Sequence, residues 1–362
     1  MIEAVQVLGP STGGIRVHVA TLAAGLRAGG LDAPVLGPPE VLGSLGPQAG
    51  VVDVPAGLSV PALLRARRQL RRWRSGADVL HAHGLKAAWT CVGGHPVRPV
   101  VVTVHNVVLD GSAALRRRLE REVLRRADRV IAPTTAIAEG LRGVVDPARV
   151  RVIVPASPPP APERRRSDIR ARLHVSDDTP VVVCVARLHP QKDLPTLLRA
   201  WDTVVAAVPD ARLAVVGEGP DRSSLEALSR TLGIDSTVEL VGFDAHAVDW
   251  IAAADLLAIS SVWEAIPLVL AEAMQLGIPV VSTDVGLATD LLGDDAAGTV
   301  VPVGDAPSLA AALIRLLSDQ ELRRRAGRLA AQRSATRFEP GILCGEVAAV
   351  YEELLSTRRR RR

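Results

Sequence analysis

Glu264 and Glu272 stand eight positions apart in the run S-S-V-W-E-A-I-P-L-V-L-A-E-A-M-Q-L-G-I-P-V-V-S. Two carboxylates around a short bend suggest a general acid and base at first sight. The local pattern points elsewhere. Residues 256–260 predict a buried strand, 263–266 a loop and 267–276 a helix, with Pro267 in its first turn and Gly277 just past its end. The helix start therefore opens beside the carboxyl end of a strand, where unsatisfied backbone N–H groups attract phosphate. From Pro267 to Glu272 the helix rises roughly 7 Å. One site then holds a diphosphate at the helix end and a hydroxyl-rich group near each carboxylate, the layout of a sugar nucleotide.

Two cations precede the pair in V-V-V-C-V-A-R-L-H-P-Q-K-D-L. Arg187 leaves the end of a buried strand, and Lys192 comes just before a helix that Asp193 is placed to cap. Cations at a strand end suit a diphosphate leaving group whose charge grows as its bond breaks; taken alone, they read equally as surface charges. In the first half, G-P-S-T-G-G-I-R-V-H places Gly13 and Gly14 at a helix start, where they allow close backbone approach to a ligand or serve a simple turn. Histidines recur at strand ends, in H-A-H at 81–83 and at His105, with His18 on the first helix. Each is either a proton donor or acceptor at a ligand site or a core group bonded to backbone.

The elements that position these residues follow from the apolar pattern. Short β-branched strands alternate with helices, at 4–8, 78–81, 100–104 and 129–131, and then at 181–185, 212–216, 238–240, 256–259 and 279–282. Continuous apolar strands separated by helices imply parallel sheets covered on both faces. Residues 156–166, A-S-P-P-P-A-P-E-R-R-R, read as a linker. The expected organisation is an N-terminal Rossmann-like, acceptor-side domain at 1–155, the linker at 156–166 and a Rossmann-like donor-binding domain at 167–340. A helix at 341–357 then returns toward the first domain, and a solvated, mobile arginine tail occupies 358–362. Two doubly wound α/β domains facing across a cleft place ligands at strand carboxyl ends.

Composition narrows the function. Of the 362 residues 48% are hydrophobic and 23% charged, which excludes a disordered chain. Aromatics at 2% leave no stacking platform for single-stranded nucleic acid, so no nucleic-acid partner is expected. Three widely spaced cysteines, Cys91, Cys184 and Cys344, fit reduced core thiols rather than a disulfide or zinc framework. With neither a signal peptide nor a membrane span in the pattern, the expected location is cytoplasmic, or peripheral on the inner face of the cell membrane. Residues 1–155 carry 20 Lys and Arg against 11 Asp and Glu, whereas 156–362 carry 23 against 28. The basic stretch at 61–74 places Leu63, Leu70 and Trp73 on one helical face among arginines. It packs on its own domain or lies on an anionic membrane surface.

The ordered run R-L-H-P-Q-K-D-L, V-V-G-E-G-P, V-G-F, W-E-A-I-P-L-V-L-A-E-A-M and G-I-P-V-V-S-T-D-V-G resembles the donor-binding domain of GT-B glycosyltransferases of family 4. It covers most of 180–305, with weaker similarity through the first half. The resemblance implies a retaining transferase using a nucleotide-sugar, UDP- or GDP-linked, as co-substrate, with no cofactor and no essential metal. Carried over by position, Arg187 and Lys192 hold the diphosphate, with Gly13 and Gly14 also meeting the donor. Glu264 accepts from sugar hydroxyls, with Ala265, Ile266, Pro267 and Leu268 at the bend and helix start, and Glu272 accepts from ribose hydroxyls. Gly242 and Phe243 border the base, and His105 lies close to the donor sugar. His83 and His18 are acceptor-side candidates. Arg187, Lys192, Glu264 and His105 form the expected catalytic group. The chain departs from the pattern at R-V-I-V-P-A-S, where relatives often have Asn-Gly, at Ala265 and Ile266 in place of glycines, and at Leu287 and Asp290. A non-catalytic sugar-nucleotide-binding protein and a sugar-nucleotide epimerase stand as alternatives, and the acceptor, whether glycan, lipid-linked or small molecule, is unassigned.

Overall fold

The computed structural model describes residues 1–11, 14–43, 49–57, 59–74, 76–92, 98–105, 114–157, 159–264, 267–293 and 297–360. The chain divides into two compact units, one of 1–158 with 337–362 and one of 159–336.

The first unit holds β1 (Ala4–Leu8), β2 (Val35–Gly37), β3 (Ala49–Val51), β4 (Val79–His83), β5 (Val100–Thr103), β6 (Arg129–Ala132) and β7 (Val150–Val152), in the order β3-β2-β1-β4-β5-β6-β7. All neighbours pair in parallel. The order reverses between β1 and β4, which in a doubly wound sheet marks the ligand crevice at the carboxyl ends. Register sets Leu8 beside His83 and His83 beside Thr103. β2 and β3 escape sequence reading because each spans three residues and carries a glycine.

The second unit holds β8 (Val181–Val185), β9 (Arg212–Val216), β10 (Val238–Gly242), β11 (Leu256–Ile259), β12 (Val280–Thr283) and β13 (Gly298–Val301), in the order β10-β9-β8-β11-β12-β13, again parallel. Its reversal lies between β8 and β11. The helix Leu194–Ala207 shows how the sheet is covered. Pro195 sits in its first turn, and Leu194, Leu197, Leu198, Trp201 and Val204, spaced three and four apart, are buried in one cluster with Leu213 and Val215 of β9.

Three expected boundaries need correction. Within 156–166, residues 163–166 are anchored to the second unit rather than serving as a free spacer. The Glu163 N–H donates to Asp249 at 2.7 Å, and Arg164 pairs with Asp249 at 2.5 Å and Asp244 at 2.8 Å. The second unit ends at Thr336, and residues 337–340 belong to the first. The helix Pro340–Arg360 continues through Thr357 into the arginines, where Arg358 reaches Asp128 at 3.5 Å, so 358–360 are no loose tail. That helix lies on the helix Gly14–Ala28, where a side chain at Gly25 would meet Cys344 Sγ at 2.3 Å.

Candidate active site

In the second unit the chemistry gathers where β8 and β11 end. After β8, residues 186–188 run alongside 216–218. The Ala186 N–H donates to Val216 O at 3.0 Å, and the Leu188 N–H to Glu218 O at 3.0 Å. The glycines of V-V-G-E-G-P make that approach feasible. A Cβ on Gly217 would lie 2.0 Å from Ala186 O, and one on Gly219 2.1 Å from Leu188 O. Arg187, held between these anchors, is exposed.

A 3-10 turn, Pro190–Lys192, follows and is tied to the loop after β11. The Val262 N–H donates to Gln191 O at 2.8 Å, Gln191 Nε2 to Trp263 O at 2.8 Å and Ser260 Oγ to Lys192 O at 2.8 Å. Lys192 Nζ thereby meets Glu264 Oε1, which also accepts from Ser261 Oγ at 2.8 Å. Thr283 at the end of β12 donates to Ser261 O at 2.7 Å and steadies the loop from the other side. Asp193 does not cap with its side chain, contrary to its expected role. It adopts a left-handed backbone with φ 43°, which turns the chain into the following helix.

The helix after this loop spans Leu268–Gln275, with Pro267 at its N-cap position rather than in its first turn. The Glu272 carboxylate has no hydrogen bond or ion pair to another described residue, and burial pushes its pKa up. Its neighbours Ala271 and Ala273 are fully buried. At the end of β10, Gly242 has φ +91°, and Phe243 is 78% exposed, a free aromatic face beside a strand end. Cys184 supplies no nucleophile, since burial pushes its thiol up to about 12. Gly13, Ala265 and Ile266 lie outside the described residues.

In the first unit the expected histidines converge at the carboxyl end of the sheet. His83 is the last residue of β4, His105 follows β5 by two positions, and His18 comes from the helix after β1. Gly14 is the first residue of that helix. The ring centroids lie 5.7 Å apart for His18 and His83, 5.3 Å for His18 and His105, and 5.7 Å for His83 and His105. His81 is a core residue, with Nδ1 at 2.6 Å from Tyr351 Oη and Nε2 at 2.7 Å from Thr103 Oγ1.

Burial pushes His18 down to about 4, and burial with the neighbouring rings holds His83 and His105 well below the usual histidine range. His105 is therefore a neutral hydrogen-bonding ring at physiological pH, not the near-neutral proton shuttle that its position in the sequence suggested. Sequence reading also missed Ser261, Gln191 and the clustering of the rings. The clustering was hidden because it depends on strand register; the Ser-Ser pair before Val262 was the available signal for the loop.

Two parallel, doubly wound units with charged and polar groups at the carboxyl ends of their strands make up the GT-B architecture. Residues 165–333 match the family described as Glycosyl transferases group 1, and residues 12–159 match Glycosyltransferase Family 4. A D-inositol 3-phosphate glycosyltransferase of Kineococcus radiotolerans is 31% identical over 403 residues, covering 96% of this chain and 92% of that protein. An alpha-D-kanosaminyltransferase of Streptomyces kanamyceticus is 31% identical over 194 residues, 53% of this chain, and there the chain spans only 50% of its relative. Among solved structures, Anabaena HepE in complex with UDP is similar with a TM-score of 0.85 at 21% identity, over 97% of this chain and 100% of that one. Sucrose-phosphate synthase from Thermosynechococcus elongatus follows at 0.82 and 21%, over 98% and 100%. This chain belongs to glycosyltransferase family 4.

Proposed function

We propose that the chain is a retaining glycosyltransferase that moves a sugar from a nucleotide-sugar to an acceptor still to be identified, with no metal needed for transfer. The observation that carries this reading is Glu272, a partly buried carboxylate with no partner among the described residues, on the helix that follows the loop of Glu264. A desolvated carboxylate is expensive to keep unless a ligand compensates it, and a vicinal diol, donating two hydrogen bonds to one carboxylate, does so. Glu264, held by Lys192 and Ser261, accepts from the sugar hydroxyls, while Arg187 and Lys192 supply the positive charge that the leaving diphosphate requires. Phe243, exposed at the end of β10, lies against the base. The departing phosphate oxygen takes the acceptor proton. The complexes of HepE with UDP and UDP-glucose support a uridine-linked donor, with GDP-linked donors next in line.

The test is a panel of UDP-, GDP- and ADP-sugars assayed for binding and for slow hydrolysis. Turnover of at least one donor is expected; binding without any turnover would favour a sugar-nucleotide sensor instead.

Peripheral membrane attachment is part of the same proposal. On the helix Val60–Arg74 the face bearing Ala66 and Leu70 is buried, while Val60, 69% exposed, and Leu64, 59% exposed, stand among exposed arginines. Among the described residues no helix is long and apolar enough to cross a membrane.

A further inference from the structure

His18, His83 and His105 have a feature that sugar transfer does not use. One ring nitrogen from each lies within 4.8 Å of those of the other two. Three buried nitrogens, His18 Nδ1, His83 Nδ1 and His105 Nε2, also have no hydrogen-bond partner among the described residues. Buried imidazole nitrogens are normally satisfied, so three unmet ones on rings this close together call for a ligand.

The surrounding bonds determine what kind of ligand. Gln6 Nε2 donates to Ala4 O at 2.7 Å and to Tyr351 Oη at 3.2 Å, and the carbonyl acceptor fixes which end of the amide is nitrogen. Gln6 Oε1 is then an acceptor, and His83 Nε2, 3.0 Å away, must donate to it. His83 Nδ1 is left with a bare lone pair in the protein interior. A histidine whose far nitrogen donates to an amide oxygen is oriented as metal-binding histidines are.

We infer that His18, His83 and His105 form a facultative site for a divalent transition-metal ion, with Zn2+ the best fit. Imidazole nitrogens suit Zn2+, and three such ligands leave a fourth tetrahedral position for water or an incoming oxygen. Zn–N bonds of about 2.0–2.1 Å set the ligand nitrogens about 3.3 Å apart, so the rings need to close by no more than about 1.5 Å. His105 is only half-buried and leaves an approach for the ion. The site lies wholly in the first unit and does not depend on the donor contacts of the second.

The experiment uses the full chain, stripped with a chelator and titrated with Zn2+ against a chromophoric competitor, with Co2+ as a spectroscopic probe and no nucleotide present. One ion per chain and the intense visible bands of four-coordinate Co2+ are expected. His105→Asn should weaken Zn2+ at least tenfold and abolish those bands, while His246→Asn, outside the cluster, should change neither. His18→Gln replaces His105→Asn if the latter fails to melt cooperatively, and the wild-type Co2+ spectrum needs no variant. Equal Zn2+ affinity in wild type and the folded cluster variant, or a weak octahedral-type Co2+ spectrum, overturns the inference. Donor binding, measured by calorimetry on the stripped protein, reports on the transferase proposal separately.

Discussion

Burial of Glu272 raises its carboxyl pKa, so the folded chain holds that proton more tightly than the unfolded one. Stability from this group is therefore fully present below its unfolded pKa and is lost as pH rises through the higher folded value. Glu272→Gln should melt at a higher temperature than wild type at pH 7, yet bind its nucleotide-sugar about 10–100-fold more weakly, as expected when a charged hydrogen-bond acceptor is lost. Paired thermal melts and calorimetry check both halves, and a variant that binds normally would remove Glu272 from the site. The histidines carry the opposite sign. His18 titrates at about 4 in the folded chain against 6.5 unfolded, so the unfolded state binds more protons between those values. Stability is full above 6.5 and falls as pH drops toward 4, by on the order of 3 kcal/mol from His18 alone. Urea titrations at stepped pH should show this decline, with a shallower slope in His18→Asn. The residue types and their places at strand ends were legible in the sequence. The Lys192 and Glu264 pairing was not, because the two meet only once β8 and β11 become neighbours.

At the scale of elements, the strands over Ala4–Leu8, Val181–Val185 and Leu256–Ile259 were legible, since runs of that length with β-branched character have few other uses. Short β13, with glycine first, was not. The G-E-G turn was legible as a motif but not as a cause. Its cause is the 2.1 Å gap between a Cβ on Gly219 and Leu188 O. Gly219→Ala must push the segment that carries Arg187 aside and should cost about 2–4 kcal/mol, within the range for overpacking and strain. Denaturant unfolding should show that loss together with weakened donor binding, and a neutral effect on both would separate Arg187 from this support. The helix Val60–Arg74 gives a second test at this scale. Co-sedimentation with vesicles containing anionic lipid is expected at low salt and should fade as salt rises, since screening weakens each arginine contact. No binding at low salt would end the membrane proposal.

At the scale of the whole molecule, the order of residues and the order of packing disagree. The helix Pro340–Arg360 is last in the chain yet contributes Leu343, Val347, Val350, Tyr351 and Leu354 to the core of the first unit. Arg129 and Arg151 clamp it through Glu353 at 2.5 and 3.1 Å. Removing 337–362 should leave the first unit insoluble, because the apolar face of the helix Gly14–Ala28 loses its cover, whereas residues 159–336 expressed alone should give a cooperative melt. Soluble, cooperatively folding 1–158 would contradict this. Synthesis meets the same arrangement in time. About 180 residues must leave the ribosome between the end of β7's segment and the helix that completes its unit, roughly 10–35 s at 5–20 residues per second. The donor-side unit can finish folding first, while the face awaiting Tyr351 stays open to chaperones.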